Sequence, residues 1–204
     1  YGGDESITEA EFAAYKYDMT YDAEADIVRI VEMILAEAPP SDPNKRAAYD
    51  LLASWDRQTN PENTGATVAI LTLYYVLEAD DTHMSVSNMT GGEFTAVTVQ
   101  TSFSQAVDLL LEKFGTVEVP WQEVNRLVRG EVDLGLGGAP DVLHAIYGEL
   151  GEDGRFHGIA GDSYILLVTW QPDGTVSSRS IHQFGSATLD EQSPHYADQA
   201  PIFA

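Results

Sequence analysis

The spacing of hydrophobic positions changes along the chain, and the elements it predicts change with it. Ile27, Ile30, Val31, Ile34 and Leu35 recur at i, i+3, i+4, i+7 and i+8, which predicts an amphipathic helix over Asp22–Ala38, stopped by Pro39-Pro40. Ser41-Asp42-Pro43 opens the next helix, with Ala47, Leu51, Leu52 and Trp55 as its buried stripe. Asn63 or Thr64 caps Ala66–Ala79, which is apolar nearly all round and therefore central to a core. A shorter helix, Glu9–Lys16, precedes these, capped from Ser6-Ile7-Thr8. Another starts at Thr101 or Ser102 and ends at Gly115, turning Val107, Leu110, Leu111 and Phe114 inward. Glu78–Gly92 has no period and reads as a long loop.

Beyond Gly115 the pattern shortens. Trp121–Arg129 reads as a short helix after Pro120, and Gly135–Pro140 as a Gly-rich turn into a helix over Asp141–Leu150. The closing stretch then shifts to period two. Ser163–Trp170 is an apolar, β-rich run, Gln171-Pro172-Asp173-Gly174 a turn, and Thr175–Phe184 an alternating return strand. Gly185–Gln199 is too rich in Ser, Asp, Pro and Gly to continue it. Helices fill the first half and strands gather at the end, so the fold class is α+β. Residues 1–115 are mainly helical; residues 116–204 hold short helices, the hairpin and its long loop. There is no internal repeat.

Charge narrows the partners. With 33 acidic and 10 basic residues the net charge is −23, which repels nucleic acid and anionic membranes. Lysine occurs only at Lys16, Lys45 and Lys113. That balance fits either a chain suited to high salt or simply a soluble exported protein. No apolar run approaches the ~20 residues of a membrane helix. The absence of Cys excludes disulfides, thiolate catalysis and Cys-based metal sites.

The closing stretch carries a resemblance. GDSYILLVTW, SRSIHQFGSATLD and SPHYADQAPIFA, with VPWQEVNRLVRGEVDLGLGGAPDVL upstream and, more weakly, AAYDLLASWDRQTNPENTGA, resemble the late β-chain of the penicillin acylase family of N-terminal-nucleophile amidohydrolases. The resemblance implies a segment of two stacked antiparallel sheets covered by helices on both outer faces. It implies hydrolysis of N-acyl amides (a β-lactam side chain, an N-acyl-homoserine lactone or a related compound) through an acyl-enzyme. The family's nucleophile is a Ser that opens the β-chain and uses its own α-amino group as base. This chain opens with Tyr1, and no stretch matches the surroundings of the family's oxyanion-hole Asn. The expectation is therefore a single C-terminal β-chain segment, 1–204, that lacks the nucleophile and is inactive alone. Its partners would be the α-chain and the earlier β-chain, with self-association through an exposed strand edge as a further expectation. No catalytic, cofactor or metal residue is assigned to it; the family's structural calcium ligands find no match here. Family members are exported, which implies a periplasmic or secreted location.

Several residues invite other readings. Ser193, His195 and Asp198 hold the letters of a hydrolytic triad, but within six residues of one loop, whereas triad members usually come from separate elements. The competing expectation is that Asp198 and Gln199 tie down loop backbone while Tyr196 packs. His182 and His195, with Asp190 or Asp198, lack zinc-ligand spacing, and Glu78, Asp80 and Asp81 lack the pattern of a calcium loop. Gly135–Asp141 could cradle a phosphate at a helix start, against the plainer reading as a tight turn. Trp55, Trp121 and Trp170 read as core anchors, with Trp170 also placed to line a cleft. A non-catalytic interaction module, and a stand-alone hydrolase using the Ser193 loop, are the alternatives to the acylase reading.

Overall fold

The computed structural model describes residues 3, 5–79 and 94–204. Glu78 and Ala79, at the start of the loop expected over Glu78–Gly92, are helical, and the rest of that stretch lies outside the described residues.

Five helices come first: α1 Glu9–Lys16, α2 Asp26–Leu35, α3 Pro43–Ala53, α4 Thr64–Ala79 and α5 Ala96–Phe114. Their ends follow from local chemistry. Thr8 and Glu11 form a reciprocal capping box on α1. Asp42 accepts from the amides of Asn44 and Lys45 to start α3. α2 begins four residues later than its period suggests, because Asp22 Oδ1 accepts from the Glu24 amide and sets a turn. α5 begins at least five residues earlier than expected, capped by Thr95, and ends on Gly115 at φ 74°. α4 is the centre. Every residue from Gly65 to Leu73 is buried, and α2, α3 and α5 pack around it. Its polar groups are satisfied inside: Thr67 Oγ1 donates to the Val119 carbonyl at 2.7 Å, and Thr72 Oγ1 to Val68.

The second half departs from expectation. Only α6, Trp121–Val124, is helical where a helix over Trp121–Arg129 was expected; the chain then becomes β1, Asn125–Arg129. The cause lies across the next turn. Gly130 and Glu131 form a two-residue loop with Gly130 at φ 61°, and β2, Val132–Gly135, pairs antiparallel with β1 from Arg129↔Val132 to Arg126↔Gly135. The helix expected over Asp141–Leu150 is absent as well. Asp141 sits at φ 65°, which a right-handed helix cannot continue, and Ile146–Leu150 is a strand, β3. β3 pairs antiparallel with β4, Phe156–Gly161, and β4 runs parallel to β1, giving a mixed sheet ordered β2-β1-β4-β3. A Cβ on Gly148 would lie 2.9 Å from that of Phe156, so this close crossing of β3 needs glycine.

The closing hairpin forms as its alternation predicts. β5, Tyr164–Trp170, pairs with β6, Val176–His182, in continuous register, with Gly174 at φ 86° in the turn. It makes a separate two-stranded sheet; no third strand joins either edge among the described residues. α7, Ala200–Phe203, follows the long loop. Leu127, Leu136, Ile146, Ile165, Ala200 and Phe203 form a second, smaller core that fastens hairpin and α7 to the mixed sheet. The architecture is α+β.

Candidate functional site

The loop between β6 and α7 closes on itself and on β1. Gln199 is its anchor. Its Oε1 accepts from the His182 amide at 2.7 Å, while the Gln199 and Ala200 amides both donate to the Phe184 carbonyl. The Ala187 amide donates to the His195 carbonyl at 3.0 Å. Gly185 is where the two limbs meet, and a Cβ there would run into the His195 carbonyl oxygen and lie 2.8 Å from Asp198 Oδ1.

Arg129, at the end of β1, holds the loop from the side. Its guanidinium lies 4.0 Å from the Tyr196 ring centroid and 4.4 Å from that of Phe184, and its Nη2 donates to the Tyr196 carbonyl at 2.7 Å. A cation between two ring faces is attracted by both quadrupoles. Its Nε is buried without a partner among the described residues, so the stack outweighs one unmade hydrogen bond.

Ser193, His195 and Asp198 come together, but not as a triad. His195 Nδ1 meets Asp198 Oδ2 at 2.9 Å, whereas Ser193 Oγ accepts from the His195 backbone amide at 3.2 Å. The serine thus serves an ST turn and not the imidazole. Asp198 binds the His195 ring instead of loop amides, and the backbone tie expected of Asp198 and Gln199 is made by Gln199 alone. Tyr196 packs as expected, on Arg129. His182 stacks on Tyr164, ring centroids 4.7 Å apart. No group of three or more His, Asp or Glu among the described residues could hold a metal ion.

The Gly-rich turn presents carbonyls, not amides. Asn125 Nδ2, buried, faces the carbonyls of Leu136, Gly137 and Gly138, and Trp121 Nε1 donates to Gly138 at 2.7 Å. With no helix following, nothing there would cradle a phosphate. Burial, and then the nearby charge of Asp26, raise the Asp141 carboxyl above its usual value. Trp121 is a core residue as expected and Trp55 is half-buried on Tyr21, but Trp170 is 70% exposed and anchors no core.

A second polar cluster gave no signal in the sequence. His144, buried, puts Nδ1 2.9 Å from Asp162 Oδ2, which also takes an ion pair from Lys16 Nζ; Lys16 reaches the Leu143 carbonyl at 2.7 Å. Burial pushes the Asp162 carboxyl up, but the bonds from His144 and Lys16 and their charges outweigh it and hold it below the usual range. This clasp joins α1, the turn before β3 and the start of the hairpin.

The family model described as Penicillin amidase matches residues 2–204. The chain belongs to the penicillin amidase family. Among curated proteins nothing matches. Membership makes this an acylase-like amidohydrolase chain. No helix among the described residues is long and apolar enough to cross a membrane.

Proposed function

We propose that this chain is the late β-chain segment of an amidohydrolase that cleaves linear N-acyl amides through an acyl-enzyme. Its substrate would be a β-lactam side chain, an N-acyl-homoserine lactone or a related compound. The α-chain and the earlier β-chain supply the serine nucleophile, the amine base and the rest of the substrate cleft. The observation that carries this reading is the uncovered hairpin. Tyr164 (51%), Leu166 (47%), Trp170 (70%) and Val176 (54%) stand exposed on a two-stranded sheet, and an isolated hairpin is at best marginal in water. Adjoining strands and a second layer from the same enzyme would cover both edges and this face. The engagement of Ser193 Oγ by a backbone amide supports placing the nucleophile elsewhere. The enzyme is exported to the periplasm or beyond, as its relatives by resemblance are.

The test compares hydrolysis of phenylacetyl and fatty-acyl p-nitroanilides by the product of the whole gene and by this chain alone. Turnover is expected only from the former, undiminished by Ser193→Ala. Turnover by the chain alone that Ser193→Ala abolishes would overturn the reading in favour of the loop triad. Silence of the whole product on every acyl donor would favour the interaction module.

A further inference from the structure

The opposite face of the hairpin is only half covered. Ile165 and Leu167 of β5 share it with Arg179 and Ile181 of β6, as their register and two-residue period require. Ile202 and Phe203 of α7 close one side, and α1 crosses the top with Ala13 and Tyr17. Between these walls lies a cavity of about 430 Å³, a volume typical of small-molecule sites.

α1 buries none of its own residues fully, so its packing on the hairpin is shallow. Ion pairs reach it at both ends. Glu9 Oε1 takes a hydrogen bond from Arg179 Nη2 at 2.9 Å, and Lys16 is fixed to Asp162 and the Leu143 carbonyl. A short helix with no fully buried residue, lying over apolar walls with one guanidinium among them, has the form of a lid.

We infer that this cavity binds a medium-chain aliphatic carboxylic acid, with its chain along Ile165, Leu167 and Ile202, its carboxylate on Arg179, and α1 as the lid. The walls select an alkyl chain because they offer it burial and few polar partners. The guanidinium selects the head, since its planar fork matches a carboxylate. Glu9 already shows that Arg179 accepts one there. An entering carboxylate takes the place of Glu9 on Arg179, and the released Glu9 carboxylate, with the first turn of α1, turns to solvent. The chain's net charge of −23 opposes this little, because charges beyond about 8–10 Å are screened at ordinary ionic strength. The inference uses only residues of this chain and does not depend on amide hydrolysis.

The experiment is photo-affinity labelling of the intact protein that carries this chain, using a terminal-diazirine analogue of decanoic acid mapped by peptide mass spectrometry. Saturable labels are expected on the β5 and α7 peptides, displaced by decanoate at least tenfold better than by decyltrimethylammonium. Ala13→Phe, which fills the cavity from an unburied position on α1, should cut saturable labelling at least fivefold with an unchanged circular dichroism spectrum. Arg179→Met should erase the preference for decanoate while 1-decanol still competes. Unsaturable or scattered labels, equal competition by the two head groups, or labelling indifferent to Ala13→Phe would each overturn the inference. Loss of 1-decanol competition in Arg179→Met would mean that Arg179 builds the cavity wall, and would overturn the carboxylate assignment.

Discussion

Asp162→Asn tests the clasp that joins the first helix to the closing hairpin. The substitution keeps the shape and one acceptor oxygen but removes the charge that Lys16 and His144 both face. A hydrogen bond to a charged partner contributes roughly 1.5–3 kcal/mol and a neutral one about 1 kcal/mol, so each of two bonds loses about 1 kcal/mol. Lys16 keeps about a quarter of its side-chain exposure, 27%, which lets water take over part of its share. His144 is nearly enclosed at 4% and has no such relief. The expected loss is about 2 kcal/mol at pH 7, or roughly 4–8 °C in Tm for a chain of this size.

The pH dependence follows from the direction of the shift. The folded-state pKa of Asp162 lies below its unfolded value, so the unfolded chain binds the extra proton in the window between them. The stabilisation is fully present above the unfolded value of ~3.9 and is lost as pH falls through the lower, folded value. Urea unfolding of both proteins between pH 7 and pH 3 should therefore show a gap in stability that is flat down to about pH 5 and narrows below ~3.9. A gap of the same size at pH 3 and pH 7 would show that the carboxylate's charge is not what stabilises. A gap below about 0.5 kcal/mol at pH 7 would show that the clasp is fully solvated.

Three further outcomes are expected. Leu127→Ala, at a fully buried position in the smaller core, should cost about 2–5 kcal/mol in urea unfolding, and a loss under 1 kcal/mol would mean that this core does not bind hairpin to sheet. Gly185→Ala should cost about 1–3 kcal/mol because the loop backbone must shift from the His195 carbonyl, and an unchanged melting temperature would refute the close approach. Arg129→Lys keeps the charge but loses the planar stack, so limited proteolysis within residues 185–199 should speed up several-fold; equal cutting rates would show that the Phe184 and Tyr196 faces do not hold the loop.

The helices were legible because each signal lay within one turn of itself: the apolar period of α2, the Asp42-Pro43 start of α3, the unbroken apolar run of α4. The β5–β6 hairpin was legible for the same reason, its turn and both strands lying within one stretch. The strands of the mixed sheet were not. β1 gains its second neighbour only when Phe156 and His157 return beside Asn125 and Arg126, a parallel pairing that no local pattern announces. Pro140 and Asp141 look like a helix start, yet the left-handed backbone at Asp141 turns the chain away and hands Ile146–Leu150 to β3. Of the candidate site, Ser193, Tyr196 and Gln199 were found through loop composition alone. Arg129 was missed because its contact with Tyr196 spans 67 positions, and the Lys16–Asp162 pair spans 146.

The two faces of the hairpin make different demands. One rests on Leu127, Ile146 and Phe203 and opens beside them into the cavity under α1. The other shows Tyr164, Leu166, Trp170 and Val176 to solvent. Neither strand carries an acidic residue, YILLVTW and VSSRSIH, in a chain that holds 33. Charge is what keeps an exposed strand from pairing with its neighbours, and here the sheet's only Asp, Glu, Lys or Arg is Arg179, on the face turned towards α1. A general need for solubility would have put acids on the hairpin first, because its edges are the part most prone to pairing. Their absence is explained if the hairpin is covered in the working protein, since a buried carboxylate without a partner is costly. The cover must then satisfy two requirements at once: backbone groups to pair the edges, and apolar side chains to meet the Trp170 face. A strand-rich layer from the same amidohydrolase meets both, whereas a lone helix laid on the face would leave the edges open.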